Sequence, residues 1–286
     1  MDYSWLDKDE YPFESRFLKI NGNLLHYIDE GSGQILLFVH GTPSWSFEFR
    51  RIIKLLRASY RCIAVDHVGF GLSNKPENYD YSTLNHSKVL EQFMITMQLK
   101  DVILLLHDFG GPIGFNYALK RPENIRKIII LNSWLFSTKD DPDFRRLSKF
   151  LRSPAMPFLY TYLNFSVRFL LPRSFGNHRP NQKILAQYGW PSRERSARLG
   201  ALAFARSLVH DQDWFDSLWH KRDLLTGINV LLIWGIKDKL VKPNVLEKLK
   251  DGFPHAKVLT LPTAGHFPQE EQPQEVATAI RDFIDA

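Results

Sequence analysis

Leu104-Leu105-Leu106-His107-Asp108-Phe109-Gly110-Gly111 is the stretch that decides the fold. An apolar run of strand length stops at His107, two glycines follow Asp108-Phe109, and helical spacing then begins. A sharp strand-to-helix turn of this kind lifts one side chain above a sheet, where it can act as a nucleophile. The residue at the tip is Asp108. A serine in that place acylates itself on esters and amides. A carboxylate can instead displace a leaving group from a saturated carbon and become an ester.

The same alternation extends outward. Residues 17–28 read as a hairpin turning at Asn21-Gly22-Asn23. Strands are predicted over 35–39, 61–65, 101–106, 125–131, 228–234 and 257–261, and helices over 47–58, 82–98, 111–119, 243–251 and 272–284. Strands alternating with helices predict an α/β fold, a mostly parallel central sheet flanked by helices. From 139 to 222 no buried strand is evident, and Pro154, Pro157, Pro172, Pro180 and Pro191 punctuate the segment. The expected organisation is a core of 1–138 and 223–286, with 139–222 inserted as a helical cap subdomain.

The 286 residues are 44% apolar and 24% charged, ordinary for a globular chain. Apolar runs have strand length and fall short of the roughly 18 residues of a membrane span, so no stable membrane insertion is expected. The first residues, Met1 to Asp7, lack the basic and apolar regions of a leader and read as a mature, cytoplasmic start. The one cysteine, Cys62, can form no internal disulfide and reads as a buried thiol. The net charge of +6 is concentrated: residues 139–222 carry 15 Lys and Arg against 7 Asp and Glu. These cations form no compact run and no recognisable motif, so no nucleic-acid partner is expected.

Three residues fall just past predicted strand ends, where parallel sheets place their sites. Asp108 follows 101–106, Asp238 follows Leu231-Leu232-Ile233-Trp234-Gly235, and His266 follows Lys257 to Leu261. The order nucleophile, acid, histidine is that of a hydrolase triad built on such a sheet. An oxyanion hole is expected from the backbone N–H groups of Thr42, in His40-Gly41-Thr42-Pro43, and of Phe109. No metal site and no cofactor are expected.

These motifs resemble the haloalkane dehalogenase family of α/β-hydrolases. The resemblance rests on His40 to Phe47, Asp66 to Ser73, His107 to Gly111, Gly235 to Leu240 and Ala264 to Glu270, and it covers about 17–138 and 223–284. The cap matches only through Tyr188-Gly189-Trp190-Pro191. The family places its acid after one of two strands. Asn132-Ser133-Trp134 carries no carboxylate, so the acid is Asp238. The resemblance implies that Asp108 forms an alkyl ester on a small or chain-like apolar substrate, and that His266, oriented by Asp238, activates the water that hydrolyses it.

One position departs from the family. A Trp usually follows the nucleophile, and its indole N–H helps to bind the departing halide. The Phe109 side chain has no donor. Thr42, which stands where an Asn is usual, keeps a hydroxyl, and Trp134, Trp190, Trp214 and Trp219 carry indoles; Trp134 and Trp190 are the expected pocket residues. Relatives with the same triad give alternatives. Epoxide hydrolases use cap tyrosines, for which Tyr160, Tyr162 and Tyr188 are candidates, and β-lactone decarboxylases need no halide site. Fluoroacetate dehalogenases place arginines after the nucleophile, where this chain has Phe109 and Pro112. A non-catalytic binding protein on a hydrolase scaffold is the reading from another class, and the filled triad positions argue against it.

Overall fold

The computed structural model describes residues 3–286; Met1 and Asp2, part of the stretch read for a leader, lie outside them. The chain forms strands β1 (Arg16–Ile20), β2 (Asn23–Glu30) and β3 (Ile35–Val39), helix α1 (Arg50–Leu56), β4 (Arg61–Val65), α2 (Thr83–Thr96), β5 (Val102–His107), α3 (Gly110–Lys120) and β6 (Ile125–Leu131). Six helices follow: α4 (Pro142–Leu151), α5 (Met156–Thr161), α6 (Leu171–Ser174), α7 (Gln182–Gly189), α8 (Leu199–His210) and α9 (Gln212–His220). The sheet resumes with β7 (Asn229–Gly235), α10 (Pro243–Gly252), β8 (Lys257–Leu261), α11 (Pro268–Glu271) and α12 (Pro273–Asp285).

The eight strands run in the order β1-β2-β4-β3-β5-β6-β7-β8. The β1–β2 and β2–β4 pairs are antiparallel and the other pairs are parallel. Period-two side chains divide the core into two layers. Leu37, Val39, Leu104, Leu106, Ile128 and Ile130 pack on one face with α2 and α3. Leu36, Phe38, Ile103, Leu105, Ile129 and Leu131 pack on the other with α1 and α12. Each fully buried Leu or Ile contributes about 1.5–3 kcal/mol by leaving water.

Register positions the site. Val39 pairs with Leu106, His107 with Leu131, Leu131 with Ile233 and Gly235 with Leu261. The loops after β3, β5, β6, β7 and β8 therefore leave one edge of the sheet together.

Most element boundaries match the sequence reading within two residues. Residues 47–58 instead divide into a 3-10 turn, Ser46–Phe49, and α1. The short helix α11, not read from the sequence, precedes the last helix and is set off from it at Gln272, because the residue before Pro273 is driven out of the helical region. Between β6 and β7 no strand occurs among the described residues, and no helix there or elsewhere among them is long and apolar enough to cross a membrane. Cys62 is buried and unpaired, and burial pushes its thiol up to about 12.

Candidate active site

Asp108 is the turn between β5 and α3, with φ of 50°. A non-glycine residue is held in the left-handed region only when its surroundings over-determine it. Here Ser133 Oγ donates to the Asp108 carbonyl at 2.5 Å, and Gly111 N–H donates to the same oxygen at 2.9 Å. Gly41 is needed opposite: a Cβ on it would lie 2.0 Å from Asp108 Oδ1. That approach lets the backbone N–H of Thr42 donate to Oδ1 at 2.8 Å. The Phe109 N–H, the other expected donor, makes no contact with the carboxylate among the described hydrogen bonds. Its residue is the N-cap of α3.

His266 Nε2 stands 3.4 Å from Asp108 Oδ2, and His266 Nδ1 donates to Asp238 Oδ2 at 2.7 Å. Leu240 and Val241 N–H donate to Asp238 Oδ1 at 2.7 and 3.1 Å, which fixes the carboxylate. Asn132 Nδ2 donates to Oδ2 at 2.8 Å, and Asn132 Oδ1 accepts from Gly235 N–H at 2.8 Å, so this residue also ties β6 to β7. The structure thus brings Asp108, Asp238 and His266 into one chain of contacts, with Nε2 left free of any hydrogen bond among the described residues. All three are buried.

Electrostatics follow from that burial. Desolvation favours neutral His266, but the Asp238 charge overrides it and Asp108 adds to the effect, so the imidazole is raised to about 10. Burial would raise the Asp108 carboxyl; the nearby His266, the His107 ring and the Thr42 N–H outweigh it and hold the group below the usual carboxylate range.

The supporting loops are anchored by polar groups that, Tyr188 apart, were not singled out as candidates in the sequence. His107 Nε2 donates to the His266 carbonyl at 2.7 Å, while its Nδ1 meets Glu48 Oε1 at 2.9 Å. His67 N–H donates to His40 Nε2 at 3.0 Å, and His40 Nδ1 donates to the Gly41 carbonyl at 2.7 Å, which sets the Thr42 loop and the His40 tautomer. Gly265 lies so close to Ser174 that a Cβ would meet its carbonyl at 2.3 Å, and His266 N–H donates to that carbonyl at 2.8 Å. Glu271 accepts from the N–H groups of Gly265 and Gly176 at 2.6 and 3.0 Å. Buried Glu270 receives the Arg50 guanidinium and, at 2.7 Å, the Tyr188 hydroxyl. A carboxylate four residues after a candidate histidine was the available signal for Glu270.

The expected pocket residues separate. Trp134 is buried edge-to-face on Phe109 at 4.8 Å, and its indole N–H donates in none of the described hydrogen bonds. Trp190 is 37% exposed, stacked on half-buried Trp5 at 5.5 Å and under the Arg193 guanidinium at 4.2 Å. Of the three tyrosines, Tyr162 is exposed and Tyr188 is spent on Glu270. Tyr160 is buried, and its hydroxyl is raised first by burial and then by the Asp108 charge. The Thr42 hydroxyl is buried with no partner. No group of metal-ligating side chains occurs among the described residues.

A family profile described as the alpha/beta hydrolase fold matches residues 34–273. The chain is 33% identical to haloalkane dehalogenase 2 of Mycobacterium tuberculosis over 276 residues, covering 96% of both chains. It is 32% identical to a cis-3-alkyl-4-alkyloxetan-2-one decarboxylase of Shewanella oneidensis, covering 96% of this chain and 89% of that one. The haloalkane dehalogenase DatA from Agrobacterium tumefaciens superposes with a TM-score of 0.86 over 95% of this chain and 96% of that one, at 23% identity.

Proposed function

The chain belongs to the α/β-hydrolase family, among the haloalkane dehalogenase-like hydrolases, and from that premise we propose that Asp108, His266 and Asp238 are its catalytic triad. One observation carries the reading: a carboxylate on a strained elbow, fastened at Oδ1 by the Thr42 N–H and faced at Oδ2 by an unpartnered histidine nitrogen.

In the first step ionised Asp108 attacks an sp³ carbon of an apolar substrate and the leaving group departs with the bonding pair. The Thr42 hydroxyl, buried without a partner, and the Trp134 indole beside Phe109 are the donors offered to it. Phe109 presents only a ring, so the leaving-group site is poorer in donors than a Trp at that position would make it. In the second step His266 removes a proton from water, which attacks the ester carbonyl carbon. The Thr42 and Phe109 N–H groups then receive the oxyanion. Segment 139–222 acts as the cap that keeps the site dry.

His266→Phe, incubated with 1-bromo- and 1-iodoalkanes, tests this by peptide mass spectrometry. The expected result is one alkyl group on Asp108 and halide released once per protein, because general-base help worth about 10²–10⁴-fold is gone. Absence of both adduct and halide across a broad panel would discard the halide.

A second reading is favoured by Phe109 and by the 32% identical decarboxylase. Asp108 would open a β-lactone at its alkyl C–O carbon. The freed carboxylate would then leave as CO2 and expel Asp108, giving an alkene without a hydrolytic water. Alkene formation from a β-lactone, with no halide from any haloalkane, selects it.

A further inference from the structure

The helical segment has an outer face that neither the sheet nor the proposed chemistry uses. Phe158, Tyr162, Leu163 and Phe169 are 52%, 50%, 40% and 42% exposed. Three of them pack in two ring pairs: Phe158 stacks on Tyr162 at 5.0 Å and Phe169 on Phe165 at 5.5 Å. Arginines lie over the same rings, Arg195 at 3.6 Å above Tyr162 and Arg173 at 5.9 Å from Phe169. Between residues 142 and 198 the exposed charged residues are ten Lys and Arg against two acids, Asp143 and Glu194. Asp143 is already engaged by Lys242, and Lys183 by Asp7, which leaves nine cations against Glu194. A merely solvated face mixes both signs and buries its large apolar groups.

We propose that this face docks on an anionic phospholipid surface, its apolar side chains entering the headgroup region and its arginines meeting lipid phosphates, without crossing the bilayer. Charge complementarity selects the partner. The rings select lipid over single-stranded nucleic acid: one face of each is taken by a neighbouring ring or guanidinium, which leaves less ring surface for bases to stack on and leaves edges for insertion. The inference does not depend on what Asp108 attacks.

Co-sedimentation of the full chain with vesicles tests it. Binding is expected to phosphatidylcholine containing a third phosphatidylglycerol, to be at least about tenfold weaker to phosphatidylcholine alone, and to fall in high salt. These comparisons use the unaltered protein, so they stand whatever the variants do. Reversing charge in Arg173→Glu with Arg195→Glu should weaken binding roughly tenfold or more. Phe158→Ser with Phe169→Ser should weaken it roughly tenfold. Leu240→Ser with Val258→Ser, exposed apolar positions near β7 and in β8, should leave it unchanged. Equal binding to both vesicles, no binding to either, indifference to the two cap pairs, preference for an oligonucleotide, or self-association through this face overturns the proposal.

Discussion

His266 must be charged in one half of the proposed reaction and neutral in the other. Beside ionised Asp108 and Asp238 its pKa is about 10, so at neutral pH it is an imidazolium that keeps the nucleophile ionised. Forming the ester removes the Asp108 charge and one of the supports of that high value. The His266 pKa must then fall, which readies it as a base. Single-turnover rates should therefore divide by step. Alkylation is expected to be flat across neutral pH, whereas ester hydrolysis rises with pH and levels off above a pKa lower than about 10. In Asp108→Asn, NMR titration of His266 should give a pKa below that of the unaltered protein; an unchanged value would show that Asp108 does not support the imidazolium. Asp108, Asp238 and His266 were legible because each closely follows an apolar strand. Asn132 was not, since its partner Asp238 lies 106 residues away, nor was Glu48, which pairs with His107 across 59 residues. The surroundings of Trp190 were not legible either, because an indole in a sequence carries no sign of whether its partners are inside or outside.

At the scale of elements, the histidine loop is held from three sides. Arg50 of α1 joins Glu270 of α11, Tyr188 of α7 reaches the same carboxylate, and Glu271 gathers the backbone N–H groups of Gly176, just after α6, and of Gly265, beside His266. Breaking a buried ion pair on one side strands the other charge, which costs about 3–5 kcal/mol. Arg50→Met should lose about that much stability in urea unfolding, and adding Glu270→Gln should return part of it by removing the stranded charge. A double variant as unstable as the sum of both single changes would show that the pair is not coupled. The central strands could be read almost residue for residue, since unbroken apolar runs of only five residues, such as Ile35 to Val39, are too short for a buried helix and fit a strand buried on both faces. The helices between β6 and β7 were legible as a class but not in their ends, because their boundaries depend on caps such as Asp141 and Asn181, whose side chains accept from the first-turn N–H groups.

Across the whole molecule, Asp66 links the antiparallel edge of the sheet to the loop that carries Thr42. Buried at the end of β4, it pairs with His26 of β2 at 2.8 Å and accepts from the N–H groups of Ser46 and Leu72 at 2.7 and 2.9 Å. Burial opposes its ionisation, but His26 foremost, with His40 and the Leu72 N–H, outweighs that and depresses the carboxyl from 3.8 to about 2. A depressed carboxyl contributes stability that is present above the unfolded pKa and is lost as pH falls through the folded one. The contribution is ~2 kcal/mol, present above about pH 4 and gone near pH 2. Asp66→Asn removes the titration, so its stability should fall less steeply than that of the unaltered protein over that window. Urea unfolding at a series of pH values measures both slopes. Asp108, also depressed, loses its contribution as pH falls in both proteins and cancels in the comparison. Parallel acid limbs would mean that Asp66 holds the same proton folded and unfolded, and its link between sheet edge and site would then rest on hydrogen bonds alone. A steeper limb for the unaltered protein, with weaker nucleophile chemistry in Asp66→Asn, ties acid stability and the Thr42 loop to one carboxylate.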